Sequence, residues 1–449
     1  MASRAEEEQG FLPRWTLKSE GVIAPEERLP WGQTIFLGLQ HVLAMFGATV
    51  LAPILMGFDP NTAIFFSGIG TLIFFLVVGG RVPSYLGSSF SFIAVVLAAT
   101  GFAAGFHGPG LNPNAPVALG GIITCGLVYA AIGLIVMATG YRWIEAIMPP
   151  VVTGSIVAVI GLNLAPVAIS DIGTATFGVV VALVTVLATA LIAFYAPGFL
   201  RRLPILLGGI VGYLLYLLGA NAFGWSASID FSGVANASWI GLPNFTAPAF
   251  HADAMLLIAP VAVILVAENL GHVKAVSAMT GQNLDRYLGR AFLGDGLATI
   301  IAGLGGGTGV TTYAENIGVM AVTRIYSTLL FVTAAIVALL LGFCPKFGQL
   351  IYTIPSSVLG GLAIVLFGLI AVTGARIWVQ NRVDFSKSRN LLPAAIALTI
   401  GAGNFQISIG NFTLSAIGVA TLAAIVLYQI LRERKADETV EGSDAVVEE

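Results

Sequence analysis

The sequence has 449 residues, of which 57% are hydrophobic and 10% are charged, with a net charge of -3. Because so few charged side chains cannot cover a particle of this size in water, a soluble globular protein is excluded. The 20 basic residues are scattered along the sequence, so we expect no nucleic-acid-binding surface.

Fourteen apolar stretches approach the length of about 20 residues that a helix needs to cross a bilayer, which predicts an all-α polytopic membrane protein. Apolar runs without alternation, such as Met255–Val266, argue against a β-barrel. Residues 1–28 are acidic and then mixed in charge, unlike a signal peptide, so we expect a cytoplasmic N-terminal segment. The predicted spans begin near Trp31, Thr62, Gly87, Val117, Ile144, Thr176, Leu203, Ala254, Leu288, Val310, Ser327, Leu350, Asn390 and Phe412.

The basic residues indicate the orientation of these spans, since Lys and Arg collect in cytoplasmic loops. With the N-terminus inside, the predicted outside loops contain only Lys346 among the 20 basic residues. An odd number of spans would move the later basic loops outside. The sequence therefore predicts an even number of spans with both termini in the cytoplasm.

Two pairs of segments indicate an internal repeat. Met148–Gly154 is similar to Ile354–Gly360, and Tyr85–Phe90 is similar to Thr308–Tyr313. Seven spans in each half would make the second half inverted, which is typical of transporters. We interpret the Gly- and hydroxyl-rich second pair as short extended segments that break spans 3 and 10 beside a substrate cavity. The alternative is that these small residues only allow tight helix packing.

Acidic residues are almost absent from the predicted spans, and Glu268 and Glu315 stand out among them. A charged carboxylate is costly in lipid, so each is a candidate functional residue. The structural alternative is an ion pair with a nearby cation, but Lys274 would reach only towards the cytoplasmic interface. We therefore favour a functional site.

Histidines could serve proton transfer near these carboxylates. His272 follows Glu268 by four positions, on the same helical face, where the two side chains could share a proton. His272 and His41 could equally be hydrogen-bonded core residues. Asp295, close to Arg290, is interpreted as a structural ion-pair or capping residue rather than a site residue.

An ionised Glu accepts hydrogen bonds from N–H groups and repels anions, which favours a neutral heterocycle such as uracil. An inorganic anion transporter and a passive channel are the competing classes. The four histidines, His41, His107, His251 and His272, form no cluster in sequence, so we expect no enzyme, metal site or cofactor. Cys125 and Cys344 are expected to be free packing residues, with no disulfide framework.

The segment Glu315–Arg324 resembles the signature of the nucleobase-ascorbate transporter family, a family of nucleobase:cation symporters. Gln40-His41 resembles the family's first-span pair, and Ala267–His272 resembles the eighth-span binding segment of its bacterial uracil permeases. The resemblance extends from about Leu29 to Arg434, and within the family the bacterial uracil and pyrimidine permeases are most similar.

This resemblance implies a seven-plus-seven inverted repeat and a homodimer in the cytoplasmic membrane. It implies a core domain, residues 29–139 and 254–345, and a gate domain, residues 140–225 and 346–434. Residues 226–253 would form an extracellular or periplasmic loop, and residues 435–449 an acidic cytoplasmic tail that we expect to be disordered.

The resemblance also implies roles for particular residues. The implied substrate-binding residues are Glu268, Glu315, Phe90, Tyr313, Ala314 and Phe367. His272 would relay the coupling proton, supported by His41 and Asn316. Related uracil permeases have Gly at the position of Ala314 and can have Tyr at the position of Phe367.

The function that the resemblance implies is proton-coupled symport of uracil or a related neutral pyrimidine base. A xanthine or purine permease of the same family and an anion transporter of similar fold are the alternatives. The acidic Glu315 favours a uracil-type member over typical purine or ascorbate members, and the choice among uracil, thymine and xanthine stays open.

Overall fold

The computed structural model describes residues 10–102, 111–198, 200–409 and 412–431. In this part of the chain the secondary structure is almost entirely α-helical. Its helices are α1 Trp31–Met56, α2 Pro60–Val77, α3 Ile93–Thr100, α4 Ala115–Thr139, α5 Arg142–Ile147, α6 Pro150–Ile172, α7 Thr176–Tyr195, α8 Pro204–Leu217, α9 Ser232–Asn236, α10 Ala252–Ile258, α11 Val261–Thr280, α12 Leu288–Gly305, α13 Ala314–Thr323, α14 Thr328–Gly342, α15 Pro345–Tyr352, α16 Ser356–Gln380, α17 Ser388–Ala402 and α18 Ala416–Ile430.

Nine helical segments within the described ranges are long and apolar enough to cross a membrane, or ten if one bent pair is counted as a span. That pair is α14 and α15, which meet at 82°. The protein is therefore a multi-pass helical membrane protein. The expectation of fourteen spans exceeds this count because several of the predicted segments are short helices, among them α3 with 8 residues and α13 with 10.

Prolines decide where two helices begin. Spans were expected to start near Ile144 and Leu350, but the long helices α6 and α16 start at Pro150 and directly after Pro355. Proline has a helix-compatible φ and lacks the N–H that would be unpaired in the first turn. The preceding residues form the separate short helices α5 and α15.

The hairpin between α1 and α2 shows how local sequence ends one helix and starts the next. Gly57 ends α1 with a left-handed φ of 73°, a conformation that costs glycine little. Asp59 then accepts a hydrogen bond from the Thr62 backbone N–H at 2.9 Å, and Pro60 occupies the first helical position. A three-residue turn, Gly57–Asp59, is thus enough to reverse the chain.

The strands within the described residues form three two-stranded sheets. Strand β1 (Thr16–Leu17) pairs in parallel with β2 (Glu27–Arg28), and β5 (Ile407–Ile409) pairs antiparallel with β6 (Phe412–Leu414). Strand β3 (Leu86–Ser88) pairs antiparallel with β4 (Val310–Thr312). The sheet formed by β3 and β4 lies in the two segments that the sequence predicts to be extended.

Residues 10–30, which we call the N-terminal strap, pack against the loop between α13 and α14. Ile23 is 1% exposed, its N–H donates to Arg324 O at 3.1 Å, and its carbonyl accepts from Tyr326 N–H at 2.8 Å. Trp15 Nε1 donates to Thr328 Oγ1 at 3.1 Å. The strap therefore ties the start of the polypeptide to the segment that follows α13.

Helix packing divides most of the spans into two groups. In the first group, α4 packs along α12, and α2 and α1 pack along α14; in the second, α6 packs along α16, α7 along α8, and α17 along α18. Small residues permit the closest approaches: a Cβ at Gly133 on α4 would lie 2.5 Å from Leu293 N on α12. The two free cysteines are Cys125, which is buried, and Cys344, so the expectation that neither forms a disulfide is confirmed.

The acidic tail, residues 435–449, which the sequence predicts to be disordered, lies outside the described ranges. The histidine His107 and the basic residue Arg432 also lie outside them.

Candidate functional site

The paired strands β3 and β4 bring two helix starts to one place. Leu86 pairs with Thr312 and Ser88 with Val310, and Tyr313 N–H continues the ladder to Tyr85 O at 3.0 Å. Strand β3 leads through a 3₁₀ turn at Phe90–Phe92 into α3, and β4 leads directly into α13. Because the first N–H groups of a helix have no intrahelical partner, both starts offer hydrogen-bond donors near the strands.

Glu268 and Glu315 lie beside these strands. Glu315 is in the first turn of α13, Glu268 is on α11, and the two carboxyl groups are near enough for their charges to interact. The Ser91 side chain also lies beside Glu268. Neither Ser91 Oγ nor Glu268 Oε2 reaches a hydrogen-bond partner, although both atoms are buried. Because the two side chains lie near each other without a hydrogen bond of ordinary length, both atoms are available to a polar ligand.

The residues around the carboxylates face open space. Ala314 is exposed, Glu268, Glu315 and His272 are half-buried, and a Cβ at Gly318 would meet no atom within 4 Å. One face of α13 and one face of α11 are therefore accessible from outside the chain. The site contains no candidate metal centre in the described ranges, where no group of three or more His, Cys, Asp or Glu residues could hold an ion.

Three aromatic residues, Phe90, Tyr313 and Phe367, lie near the strands β3 and β4 and the carboxylates. The Phe90 and Phe367 rings meet edge to face, with centroids 5.7 Å apart and planes at 84°. Tyr313 is held more firmly, since its hydroxyl donates to Ser88 O at 2.7 Å and accepts from Thr49 Oγ1 at 3.2 Å. The Tyr313 ring occupies the space that a Cβ at Gly87 would need, so glycine is required at this point of β3.

The histidines contact neighbouring elements. His272 Nδ1 lies 2.8 Å from Thr312 Oγ1, so this ring atom bonds to β4 rather than to Glu268 as the helical spacing suggested. Strand β4 lies against α11, which brings Thr312 within reach of the ring. His41 Nδ1 lies 3.1 Å from Asn316 Nδ2, which also donates to His41 O at 3.1 Å. His41 and Asn316 are therefore in direct contact.

Asp295 does not have the role that the sequence suggested. It lies inside α12, is fully buried, and its Oδ2 accepts from Asn269 Nδ2 at 2.7 Å and from Tyr129 OH at 3.3 Å. Arg290 instead places its guanidinium 5.9 Å from the Phe11 ring centroid. The interpretation of Asp295 as an ion-pair or capping residue is wrong, because the residue lies on the buried face of its helix.

Several polar residues of this region were not predicted as site residues. Tyr129 and Asn269 complete the Asp295 network, and Asn269 Nδ2 also donates to Tyr129 OH at 2.9 Å. Gln40 is buried with both amide atoms unpartnered, and Thr311 Oγ1 is also without a partner. A polar residue within an apolar span is the signal that could have identified Gln40 and Asn269, whereas Ser91 resembles an ordinary helix-packing serine.

The chain matches proteins of one transporter family along most of its length. A model described as the permease family, covering xanthine and uracil permeases, matches residues 32–410. The putative pyrimidine permease RutG of Escherichia coli K12 is 60% identical, with 95% of this chain and 97% of the relative covered. The uracil permease of Paenibacillus larvae is 41% identical, with coverage of 90% and 96%, and the uracil permease of Escherichia coli K12 is 38% identical, with coverage of 91% and 94%.

Solved structures show that the fold is shared more widely. The transmembrane domain of the cyanobacterial bicarbonate transporter BicA aligns with a TM-score of 0.56 at 18% identity, covering 88% of this chain and 96% of that domain. Murine Solute Carrier 26 family member A9, an anion transporter, aligns with a TM-score of 0.65 at 12% identity, covering 89% and 68%. At these identities the likeness concerns the fold alone, whereas the family match and the three permeases are similar in sequence over nearly the whole chain. This multi-pass protein is thus a non-enzymatic membrane transporter and belongs to the nucleobase-ascorbate transporter family of xanthine and uracil permeases.

Proposed function

We propose that the protein carries uracil or a related neutral pyrimidine base together with protons across the cytoplasmic membrane by alternating access. The observation that carries this proposal is the pair of neighbouring carboxyl groups, Glu268 and Glu315, beside two helix starts within the membrane spans. The pyrimidine and uracil permeases that resemble the chain support a nucleobase as the substrate.

Uracil has the hydrogen-bonding groups that this site would accept. Its two N–H groups would donate to Glu268 and Glu315, and its carbonyl oxygens would accept from backbone N–H groups near Phe90 and Ala314. The rings of Phe90 and Phe367 would enclose the flat base, with Tyr313 holding the strand beside it. The unpartnered Ser91 Oγ and Glu268 Oε2 lie where such a ligand would supply partners.

The charge of the site disfavours the anion alternative. The two structural neighbours are transporters of bicarbonate and of anions, but two neighbouring carboxylates would repel a negative substrate. The second alternative, a xanthine or purine, shares the N–H donors of uracil and would need more room between Phe90 and Phe367. Competition with xanthine therefore separates these two substrates.

Proton coupling is supported by the absence of a counter-charge at Glu268. In the described part of the chain, the ion pairs of Lys274 go to Glu145 at 2.9 Å and to Asp285 at 2.8 Å, not to Glu268. A carboxylate in a low-dielectric cavity without a cation is stabilised by taking up a proton. We propose that this proton accompanies the base, with His272 as its relay and His41 and Asn316 supporting the network.

We further propose fourteen spans in a seven-plus-seven inverted repeat. Residues 29–139 and 254–345 would form the core domain, residues 140–225 and 346–434 the gate domain, and residues 226–253 the outer loop. The packing supports this division, because β3 pairs with β4 and α6 packs along α16, and these are the segments of the two internal similarities. Both termini would lie in the cytoplasm, and two copies would form a homodimer.

The test is uptake of labelled uracil by proteoliposomes with and without an inward proton gradient. Accumulation should require the gradient, and unlabelled uracil should compete better than xanthine or bicarbonate. Equilibration that is independent of the gradient would refute proton coupling, and competition by bicarbonate but not by uracil would refute the substrate.

A further inference from the structure

An apolar cavity of about 290 Å³ lies between α1 and the helices α8, α15 and α16, and none of its lining residues is a predicted site residue. Its lining includes Phe46, Val50, Leu206, Ile210, Phe347 and Leu362. None of the lining residues carries a charge. The cavity is thus a partly open apolar space, whereas the carboxylate site is polar.

Water and polar solutes fit this cavity poorly. A buried water needs two to four polar partners, and an apolar cavity of about 150 Å³ in another protein stays dry and binds benzene. Here the one side-chain polar group of the lining, the Tyr213 hydroxyl, is already bonded to Thr353 Oγ1 at 2.9 Å. Hydrocarbon is therefore the favoured occupant.

The rim of the cavity opens towards the surface that lipid covers. Ile210 and Leu350, two of its lining residues, are each 45% exposed, and α8 belongs to a membrane-spanning segment. Lipid tails are the solvent along such a surface. An acyl chain would reach the cavity by lateral movement without crossing a polar barrier.

We propose that this cavity, the α1–α8 cavity, binds one acyl chain of a membrane phospholipid. Its walls come from different packing groups, since α1 packs with α14 whereas α8 packs with α7 and α16. Helix α1 also carries His41 and Thr49, and α16 carries Phe367. A bound acyl chain fills the space between the helices that hold the two sides of the candidate site, and so it supports their present spacing.

A substitution within the cavity makes this proposal testable. Gly209 lines the cavity, and a Cβ there would lie 3.1 Å from Leu362 Cδ1, the end of a flexible side chain. Gly209→Leu should therefore extend into the cavity and occupy the room of the acyl chain. Leu206→Phe fills the same space from another position and serves if the first variant does not fold. Gly47 is unsuitable, because its Cβ would lie 2.5 Å from Ile205 Cγ2.

The experiment uses the full-length protein in nanodiscs that contain phosphatidylglycerol with a diazirine on one acyl chain, with crosslinks mapped by mass spectrometry. Wild-type protein should be labelled within residues 205–213 and 347–362. Both variants should reduce this labelling about fivefold or more, because a filled cavity leaves no room for the chain. Leu183 on α7, which is 62% exposed and is not a lining residue, is the matched control and should be labelled equally in all three proteins.

Cavity labelling that is unchanged in both variants would overturn the proposal, as would labelling that depends on phosphatidylglycerol and disappears with phosphatidylcholine. The expected effect on transport rests on the proposed function. In Gly209→Leu and Leu206→Phe the new side chain stays in the cavity permanently, so both variants should slow uracil uptake and leave uracil binding unchanged. Unchanged uptake would overturn the supporting role of the acyl chain. The crosslinking result needs no substrate, so its outcome is separate from that of the proposed function.

Discussion

His272 Nδ1 lies 2.8 Å from Thr312 Oγ1, which joins the helix that carries Glu268 to the strand that leads into Glu315. A proton on His272 therefore affects both carboxylate-bearing elements. Because a hydroxyl can donate or accept, Thr312 can bond to either tautomer of the ring. The pair would therefore connect the proposed proton uptake to the position of β4.

His272→Ala should retain uracil binding and slow proton-driven uptake, because it removes the relay but neither proposed hydrogen-bond acceptor of the base. Thr312→Val should cost about 1 kcal/mol of stability through the lost hydrogen bond and shift the pH dependence of uptake. Binding by calorimetry and uptake across a range of pH check both variants. Loss of uracil binding in His272→Ala would show that the ring contacts the substrate instead.

Glu268→Gln and Glu315→Gln should each weaken uracil binding. A hydrogen bond contributes about 0.5–1.5 kcal/mol when its acceptor is neutral, as at a protonated Glu268, and about 1.5–3 kcal/mol when it is charged, so the expected losses of affinity span roughly 2- to 150-fold. Isothermal titration with purified protein measures the change. Glu145→Gln is the control, since Glu145 pairs with Lys274 and its side chain is 41% exposed. Wild-type affinity in either site variant would remove that residue from the binding site.

Tyr313→Phe should destabilise the junction of β3 and β4 without removing the ring. It deletes the bonds to Ser88 O and Thr49 Oγ1, and an unpaired buried acceptor costs about 1–3 kcal/mol. The thermal unfolding midpoint should fall, and uracil affinity should change less than it does in the Glu variants. A larger loss of affinity than of stability would indicate direct contact between the hydroxyl and the base.

Ile23→Asp should detach the N-terminal strap, because it places a charge at a side chain that is 1% exposed. Faster hydrogen exchange is expected in residues 10–30 and at Arg324–Thr328. Val22→Asp is the neighbouring control, since Val22 is 47% exposed, and it should leave exchange unchanged. Equal effects of the two substitutions would show that the strap is not held through Ile23.

The strap should also loosen in acid. The Ala24 backbone N–H donates to the Glu27 carboxylate at 2.8 Å. This bond lowers the pKa of Glu27 below its ordinary value of 4.5, and Lys18 adds a smaller effect in the same direction. A lowered pKa gives stability that is present above pH 4.5 and is lost as the pH falls through the pKa of the folded state. Hydrogen exchange in residues 10–30, corrected for intrinsic rates, should rise below this pH, and Glu27→Gln should abolish the pH dependence.

Local sequence was a good guide wherever a single segment carries the information. The broken spans were predicted from Gly and hydroxyl residues, and β3 and β4 lie in those segments. Glu268 and Glu315 were identified because acidic residues are rare within apolar stretches, whereas Asn316 was implied by the resemblance to the family signature. Helix starts were misplaced by six residues at Ile144 and Leu350, since a hydropathy window does not register the proline that begins each long helix.

The same reasoning could not predict contacts between residues that are far apart in the sequence. The proximity of Ser91 to Glu268 and the bond between His272 and Thr312 each join residues from different helices or strands. Asp295 was misinterpreted because its sequence neighbour Arg290 suggested a partner, whereas its contacts come from Tyr129 and Asn269.

By itself the sequence determined a helical membrane protein of a known permease family and singled out Glu268 and Glu315 as carboxylates within apolar stretches. This was possible because the cost of polar groups in lipid acts on every residue separately. Only the tertiary structure decided that β3 pairs with β4, that Thr312 is the partner of His272, and that an apolar cavity lies between α1 and α8. These features depend on which helix faces approach each other, and that is a property of the packing of the whole chain.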